Sequence, residues 1–173
     1  MYAIRTGLHA DVPRIHEIMV IAHDTLKDKA WYFIDGTTPQ WLHRHIEDEG
    51  FALVVEDDMS STIVGFLVVR YPYSASDNLG TYLNDSALNM NTVAHMETVA
   101  VLPKHRGHGL QCELVTRAES RLHKNIEHIM CTVHKDNGPS YNSFVRCGYK
   151  TIANLYAKYG NLPRYVMHKP REL

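Results

Sequence analysis

Polar and apolar positions alternate through "YAIRTG" (Tyr2–Gly7), the period of a half-buried strand, and then the period lengthens. Val12, Ile15, Ile18, Met19 and Ala22 fall on one face of a helix that Asp11 and Pro13 would start. The signal returns in "TTPQWLHRHIEDEG", with Thr38 as cap, Pro39 in the first turn and Gly50 past the end. "FALVVEDD" and "TIVGFLVVRY" are β-branched and apolar on either side of a polar turn, which predicts a hairpin. No period survives from Pro72 to Asn91; so long a connection is functional or mobile as a rule, and it is expected to face a substrate. "TVAHMETVAV" predicts a strand, and Leu110, Leu114, Val115, Ala118 and Leu122 then line a helix. A strand at His128–Val133, a short helix ending at Gly148 and two strands, "YKTIANLYA" and "RYVMHK", complete the chain. Strand, two helices, three strands, helix, strand, helix and two strands is the order of one mixed-sheet α/β domain over residues 1–173.

A chain of this length can bury one core without disulfides or metals. Its net charge of −1 offers no basic field for nucleic acid or an anionic membrane. The N-terminal stretch lacks a signal-peptide pattern and no apolar run approaches a membrane span, so the expectation is a cytoplasmic protein with neither nucleic-acid nor membrane partners. Three cysteines, Cys112, Cys131 and Cys147, without CxxC spacing suit reduced, core-facing thiols. Twelve histidines raise the question of a metal. His43 and His45 at i,i+2 diverge on a helix and no HExxH occurs, so no metal is expected.

The chemistry concentrates in "METVAVLPKHRGHGLQCELV". A strand runs into a proline, a basic loop with two glycines follows, and a helix begins. Free amides and partial positive charge at a helix start can hold phosphate, and glycine lets the backbone approach it. "GHGLQC" lacks the Lys-Ser/Thr of a P-loop, and Cys112 stands where a dinucleotide fingerprint needs its third glycine.

"VAVLPKHRGHGLQ" instead resembles the acetyl-CoA motif of the GNAT N-acetyltransferase superfamily, V-x-P-x-(Y/H)-(R/Q)-x-x-G-x-(G/A), at Val101, Pro103, Arg106 and Gly109. Gln111 stands where the family has glycine or alanine. "DNGPSYNSFVRCGY" resembles the family's second motif at Asn137, Ser140, Phe144, Arg146, Gly148 and Tyr149. The resemblance implies the GNAT fold, a mostly antiparallel mixed sheet of about six to seven strands with helices on both faces, and acetyl-CoA as co-substrate without a metal. It implies that Val99, Ala100 and Val101 pair with the pantetheine. Gly107, His108, Gly109, Leu110, Gln111 and Cys112 would wrap the pyrophosphate with their amides, Asn137 would hold the cofactor near the thioester end, and Arg106, Ser140 and Phe144 would be cofactor-binding residues of the two motifs. Phe144 occupies the place where many members carry a tyrosine that protonates the departing thiolate; Tyr141, one turn earlier, is the substitute donor.

An amine attacking a thioester must be neutral, yet a lysine-like amine with a pKa near 10.4 is mostly protonated at pH 7. Glu97, a carboxylate in an apolar strand, is the candidate base or amine anchor, and His95 is the second. By alternation Glu97 would share a face with His95, Val99 and Val101. Trp31, Tyr32, Asp35, Tyr73, Asp77 and Tyr82 would suit a cationic amine at the acceptor side. In the family the last hairpin, "YAKYGNLPRYVMHK", serves acceptor contacts or dimerisation, which leaves a homodimer open. The reading is an N-acetyltransferase acting on a primary amine of a small molecule or peptide by direct attack in a ternary complex. The alternative, to which Phe144 points, is a non-catalytic acyl-CoA-binding or regulatory module. A toxin-like enzyme acting on aminoacyl-tRNA is disfavoured by the missing basic surplus.

Overall fold

Hydrophobic period decides where each element forms in the computed structural model, which describes residues 1–158 and 161–171. The strands are β1 (Tyr2–Thr6), β2 (Gly50–Asp57), β3 (Thr62–Arg70), β4 (Val93–Val101), β5 (His128–His134), β6 (Lys150–Lys158) and β7 (Leu162–Pro170). The helices are α1 (Val12–Asp24), α2 (Pro39–Glu47), α3 (Leu110–Glu119) and α4 (Gly138–Arg146), in the order the sequence predicts. The strands form one sheet in the order β1-β2-β3-β4-β5-β7-β6. The tip of the last hairpin, at Tyr159 and Gly160, lies outside the described residues.

Alternating strand residues feed two cores. Leu53, Val55, Leu67 and Val69 meet Leu110, Leu114 and Ala118 of α3 on one face. Ala52, Val54, Phe66 and Val68 meet Ile15, Ile18 and Met19 of α1 and Leu42 of α2 on the other. Thr38 caps α2 by accepting from the Trp41 amide at 3.2 Å. Asp11 does not cap α1 with its side chain; its carboxylate accepts from the Leu8 amide at 2.8 Å and pairs with Arg5 at 2.7 Å. Gly50 does not end α2: it opens β2, where a Cβ would collide with the Val69 carbonyl, so close strand approach is what requires glycine there.

The aperiodic segment after β3 is more structural than the sequence suggests. Short 3-10 turns at Leu79–Leu83 and Met90–Thr92 cover the sheet, with Leu79 packed among Val93, Met130 and Val166. Of the acceptor candidates on it, Asp77 reaches the central cleft; Tyr73 and Tyr82 are not among its lining residues.

Two irregularities of β4 create that cleft. Its parallel pairing with β5 covers only Val93–His95 against His128–Met130, after which the strands part. Against β3 the register jumps, with Val68 opposite Thr98 and Val69 opposite Met96, which leaves Glu97 as the extra residue of a β-bulge.

Candidate active site

A cleft of about 1040 Å³ opens where β4 and β5 part, lined by both strands, the loop before α3, α4 and the α1–α2 connection. Gly107 and Gly109 border it with φ of +85° and +75°, a left-handed backbone that L side chains rarely adopt. A Cβ at either would meet nothing within 4 Å, so the loop presents open space rather than packed side chains. Gly109 is the N-cap of α3 and supplies no side-chain cap, so the first amides of the helix remain available to an anion. The cradle suits a pyrophosphate.

The motif residues divide. Val99, Ala100, Val101, Arg106, Leu110, Gln111 and Cys112 line the cleft with the two glycines. Burial holds the Arg106 guanidinium below its ordinary pKa, and its Nε donates to the Val101 carbonyl at 3.0 Å, bracing the loop. The His108 ring turns out of the cleft to pack at 5.5 Å from Tyr2, so its side chain is placed away from the cradle. Gln111, in place of a small residue, donates from Nε2 to the Ser140 hydroxyl at 3.3 Å and ties α3 to α4. Asn137 accepts from the Ser140 amide at 3.3 Å and donates to the Trp31 carbonyl at 3.4 Å, so its polar atoms hold α4 and the α1–α2 loop together. Arg164 of β7 donates to the Ala30 carbonyl at 3.2 Å and anchors the same loop. Sequence reasoning passed over Arg164, because its strand carried no motif.

The cysteines depart from expectation. Cys112, in the first turn of α3, is joined to Cys147 at the end of α4 as a disulfide with a Cα separation of 6.2 Å, while Cys131 is buried and free. Spacing along the chain could not reveal that two helices on one face bring these sulfurs together.

Two catalytic candidates, Tyr141 and His95, do not line the cleft. Tyr141 lies outside the cleft: its ring packs 5.5 Å from Tyr165 and its hydroxyl accepts from Thr151 at 3.4 Å. Because α4 turns its Phe144 face inward, a residue three positions earlier, shifted by about 60° around the helix, points elsewhere. Phe144 gives the cleft an apolar wall, buried and edge-on to Tyr149 with centroids 5.1 Å apart. His95 is buried behind Glu97, and its Nε2 accepts from the Leu79 amide at 3.0 Å. Its Nδ1 lies 3.4 Å from Glu97 Oε2, so with Nε2 occupied the ring turns its remaining nitrogen to that carboxylate.

Glu97 faces the cleft because of the bulge. Val99 and Val101 pack towards α3, as do Met96 and Ala94 on the other side of the irregularity, whereas Thr98 meets Tyr32 on the opposite face. Simple alternation therefore puts Glu97 rightly beside His95 but wrongly with Val99 and Val101. Its side chain keeps 21 % exposure, and Arg70 Nη1 lies 3.9 Å away. Burial pushes the Glu97 carboxyl up, but the His95 contact and the charges of His95 and Arg70 outweigh it and hold the pKa below the usual range. Arg70, unnoticed in the sequence at the end of its strand, is also gripped by Asp77 and lies 3.7 Å from Glu49. Trp31, Tyr32 and Asp35 line the same end, where the buried Trp31 indole nitrogen has no hydrogen-bond partner. Among the described residues no group of three or more His, Cys, Asp or Glu is placed to hold a metal, and no helix is long and apolar enough to cross a membrane.

A family model described as the acetyltransferase (GNAT) family matches residues 16–149. No curated protein matches the chain. Among solved structures, the ribosomal-protein-S18-alanine N-acetyltransferase of Escherichia coli is 15% identical, with 100% of this chain and 96% of that one covered and a TM-score of 0.72. NAA60 of Arabidopsis thaliana, in complex with a bisubstrate analogue, is 14% identical over 99% of this chain and 100% of its own, with a TM-score of 0.75. A phosphinothricin acetyltransferase of Sinorhizobium meliloti, in complex with acetyl-CoA, is 17% identical over 98% and 88%, with a TM-score of 0.69. At such identities the likeness establishes the shared fold.

Proposed function

The chain belongs to the GNAT acetyltransferase family, and on that premise we propose that it transfers the acetyl group of acetyl-CoA to a primary amine by direct attack in a ternary complex. Residues 1–173 are read as one such domain. The observation that carries the proposal is that Glu97, the extra residue of a bulge, lines the same cleft as the glycine cradle and the loop of Trp31 and Tyr32.

In this reading the loop amides from Gly107 to Cys112 hold the pyrophosphate, and the parted edge of β4 at Val99–Val101 pairs with the pantetheine. The thioester then lies beside Thr98 and Glu97. Held ionised by Arg70 and His95, Glu97 accepts a proton from the attacking amine, directly or through a water. The unpartnered Trp31 indole is a donor for a carbonyl of a bound molecule. The acceptors named for the structural neighbours, a ribosomal-protein alanine and phosphinothricin, span peptide and small molecule, and this acceptor is left at that class.

Release of CoA thiol from acetyl-CoA over a panel of polyamines, aminoglycosides, amino acids and N-terminal peptides tests the proposal, with calorimetry of acetyl-CoA alone beside it. Amine-dependent thiol release supports it. Tight binding without turnover of any amine would favour the acyl-CoA-binding module, the reading to which the apolar Phe144 points.

A further inference from the structure

A base meets an amine at its nitrogen, so one amine is told from another by the surface that meets the rest of the molecule. Both tryptophans of the chain, Trp31 and Trp41, line the cleft, and Phe33 lines it with them. A large aromatic side chain is ordinarily accounted for by a core. Trp41 is: it packs against the α1–α2 core and stacks on His45 with ring centroids 3.9 Å apart. Trp31 is half-buried, yet among the described residues it joins none of the apolar cores.

The backbone explains where Trp31 and Phe33 point. Tyr32 between them is extended, with φ of −133° and ψ of 97°, so the side chains of its two neighbours fall on the side opposite its own. The Tyr32 ring packs against the α1–α2 core and its hydroxyl meets Thr98 Oγ1 at 2.6 Å. Trp31 and Phe33 are thereby turned from that core to the cleft. Thr98 follows Glu97 in β4, so the same bond pins the aromatic segment beside the bulge that carries the candidate base. The segment is fastened from behind as well: Asn137 donates to the Trp31 carbonyl at 3.4 Å and Arg164 to the Ala30 carbonyl at 3.2 Å.

Charge narrows the class of acceptor. Besides Glu97, the carboxylates that line the cleft among the described residues are Asp35, which is exposed, and Asp77, whose two oxygens are both taken by Arg70. Lys27, Arg44 and Arg70 add positive charge to the same lining. A second ammonium group on the acceptor would be repelled there, whereas an uncharged ring can pack on an indole or phenyl face. We propose that the acceptor is an arylalkylamine: one primary amine on a short carbon chain that ends in an uncharged aromatic ring, the ring lying against Trp31 and Phe33 and the nitrogen at Glu97. This rests on the acetyl-transfer reading above. The aromatic pair thus decides which amine reaches the thioester, and Glu97 acts on whichever amine arrives.

The test compares phenethylamine and tryptamine with butylamine and putrescine in the thiol-release assay. The arylalkylamines should show a kcat/KM about tenfold to a hundredfold above that of butylamine, the range expected for burying one side-chain-sized apolar group, and putrescine should be no better than butylamine. Trp31→Ala and Phe33→Ala should each shrink the ratio of phenethylamine to butylamine, a readout that a general loss of folding or activity would not move. Because both tryptophans line the cleft, titrating the CoA-loaded protein with phenethylamine, where no acetyl group is present to transfer, should change the tryptophan emission, and butylamine should leave it as it is. Equal kcat/KM for phenethylamine and butylamine, or a preference for putrescine, would overturn the aromatic assignment while leaving acetyl transfer intact. A saturable fluorescence response in a protein that acetylates no amine would keep the aromatic site and overturn the transfer. Neither response nor turnover would overturn both.

Discussion

Asp77 grips the Arg70 guanidinium with both carboxylate oxygens, at 2.8 and 3.1 Å, and so links the long segment after β3 to the cleft that Glu97 lines. The grip holds the Asp77 carboxyl below its ordinary pKa, chiefly through the hydrogen bonds from Arg70. Asp77 is 56% exposed, so solvent screens the pair and its contribution to stability is small, about 1 kcal/mol at most. Its importance lies in what Arg70 does otherwise. Nη1 is already 3.9 Å from Glu97, and a guanidinium released by Asp77→Ala would close on that carboxylate and make it a poorer proton acceptor. Asp77→Ala is therefore expected to keep the urea midpoint and the acetyl-CoA affinity and to lower kcat several-fold. A lost acetyl-CoA affinity with normal kcat would contradict this coupling.

Glu97→Gln keeps the shape of the side chain and removes its basicity. The proposed role predicts a rate lower by about a hundredfold to ten-thousandfold at neutral pH, with acetyl-CoA affinity nearly intact. Glu97 stays ionised below the ordinary carboxylate range, so the acid limb of the wild-type profile near neutrality comes from protonation of the amine. The mutant's defect should shrink as pH approaches the amine's own pKa. An anchor for a cationic amine would behave differently, with a raised acceptor KM and a preserved kcat. Steady-state kinetics from pH 6 to 10 distinguish the two.

These residues also mark how far the sequence could be read. The element order was legible because period 2 and period 3.6 rarely mimic each other in strands and helices of this length. The glycine loop was legible because the requirement is local: backbone at φ of +85° and +75° must be glycine-like whatever surrounds it. The environment of Glu97 was not, since a bulge inserts one residue and reverses every later facing without changing the amino-acid pattern. Arg70 and Arg164 were passed over, and the contact that holds Tyr32 was not foreseen, because Glu97, Ala30 and Thr98 lie far along the chain from them. Tyr32 and Thr98, for instance, are 66 positions apart. The surroundings of His95 were not legible either: the Leu79 amide, 16 positions earlier, occupies its Nε2 and Glu97 faces its Nδ1.

The glycine cradle predicts a contrast between two substitutions at one position. Gly109→Ala must take up a left-handed φ, which costs roughly 1 kcal/mol, but its methyl group meets nothing within 4 Å. Binding of acetyl-CoA should weaken only modestly. Gly109→Glu adds the same strain and also sends a carboxylate towards the amides that would hold pyrophosphate, so binding should be lost in a protein that still folds. Calorimetry together with circular dichroism decides it, and equal affinities for the two variants would show that the loop does not contact the cofactor.

Buried histidines make stability depend on pH near neutrality. Burial, opposed by the Trp41 carbonyl bond and the charges of Glu97 and Glu49, lowers the His45 pKa from its usual 6.5. The unfolded chain then binds more protons than the folded one between the folded value and about 6.5. The His45 contribution is thus fully present above that window and is lost as pH falls through it. Urea midpoints should drop between pH 7.5 and 5.5, and His45→Gln should make the slope shallower. Burial also lowers the pKa values of His134 and His168, so some slope should remain. An unaltered slope would mean that His45 takes up its proton without cost in the folded state.

The bond between Cys112 and Cys147 predicts a stability that responds to reductant. The two cysteines are 35 positions apart, and closing such a loop restricts the unfolded chain by about 4 kcal/mol in the chain-entropy model. Thiol titration of the oxidised, denatured protein should find Cys131 alone, since it is the free cysteine. Reduction, or the double change of Cys112 and Cys147 to serine, should lower the urea midpoint while leaving Cys131 buried. The bond also clamps the first turn of α3 to the end of α4, but Gln111 and Ser140 already tie these helices by a 3.3 Å hydrogen bond. Acetyl-CoA binding should therefore survive reduction and weaken only when Gln111→Ala is added. If reduction alone abolished binding, the disulfide rather than the hydrogen bond would be what holds the cradle in register.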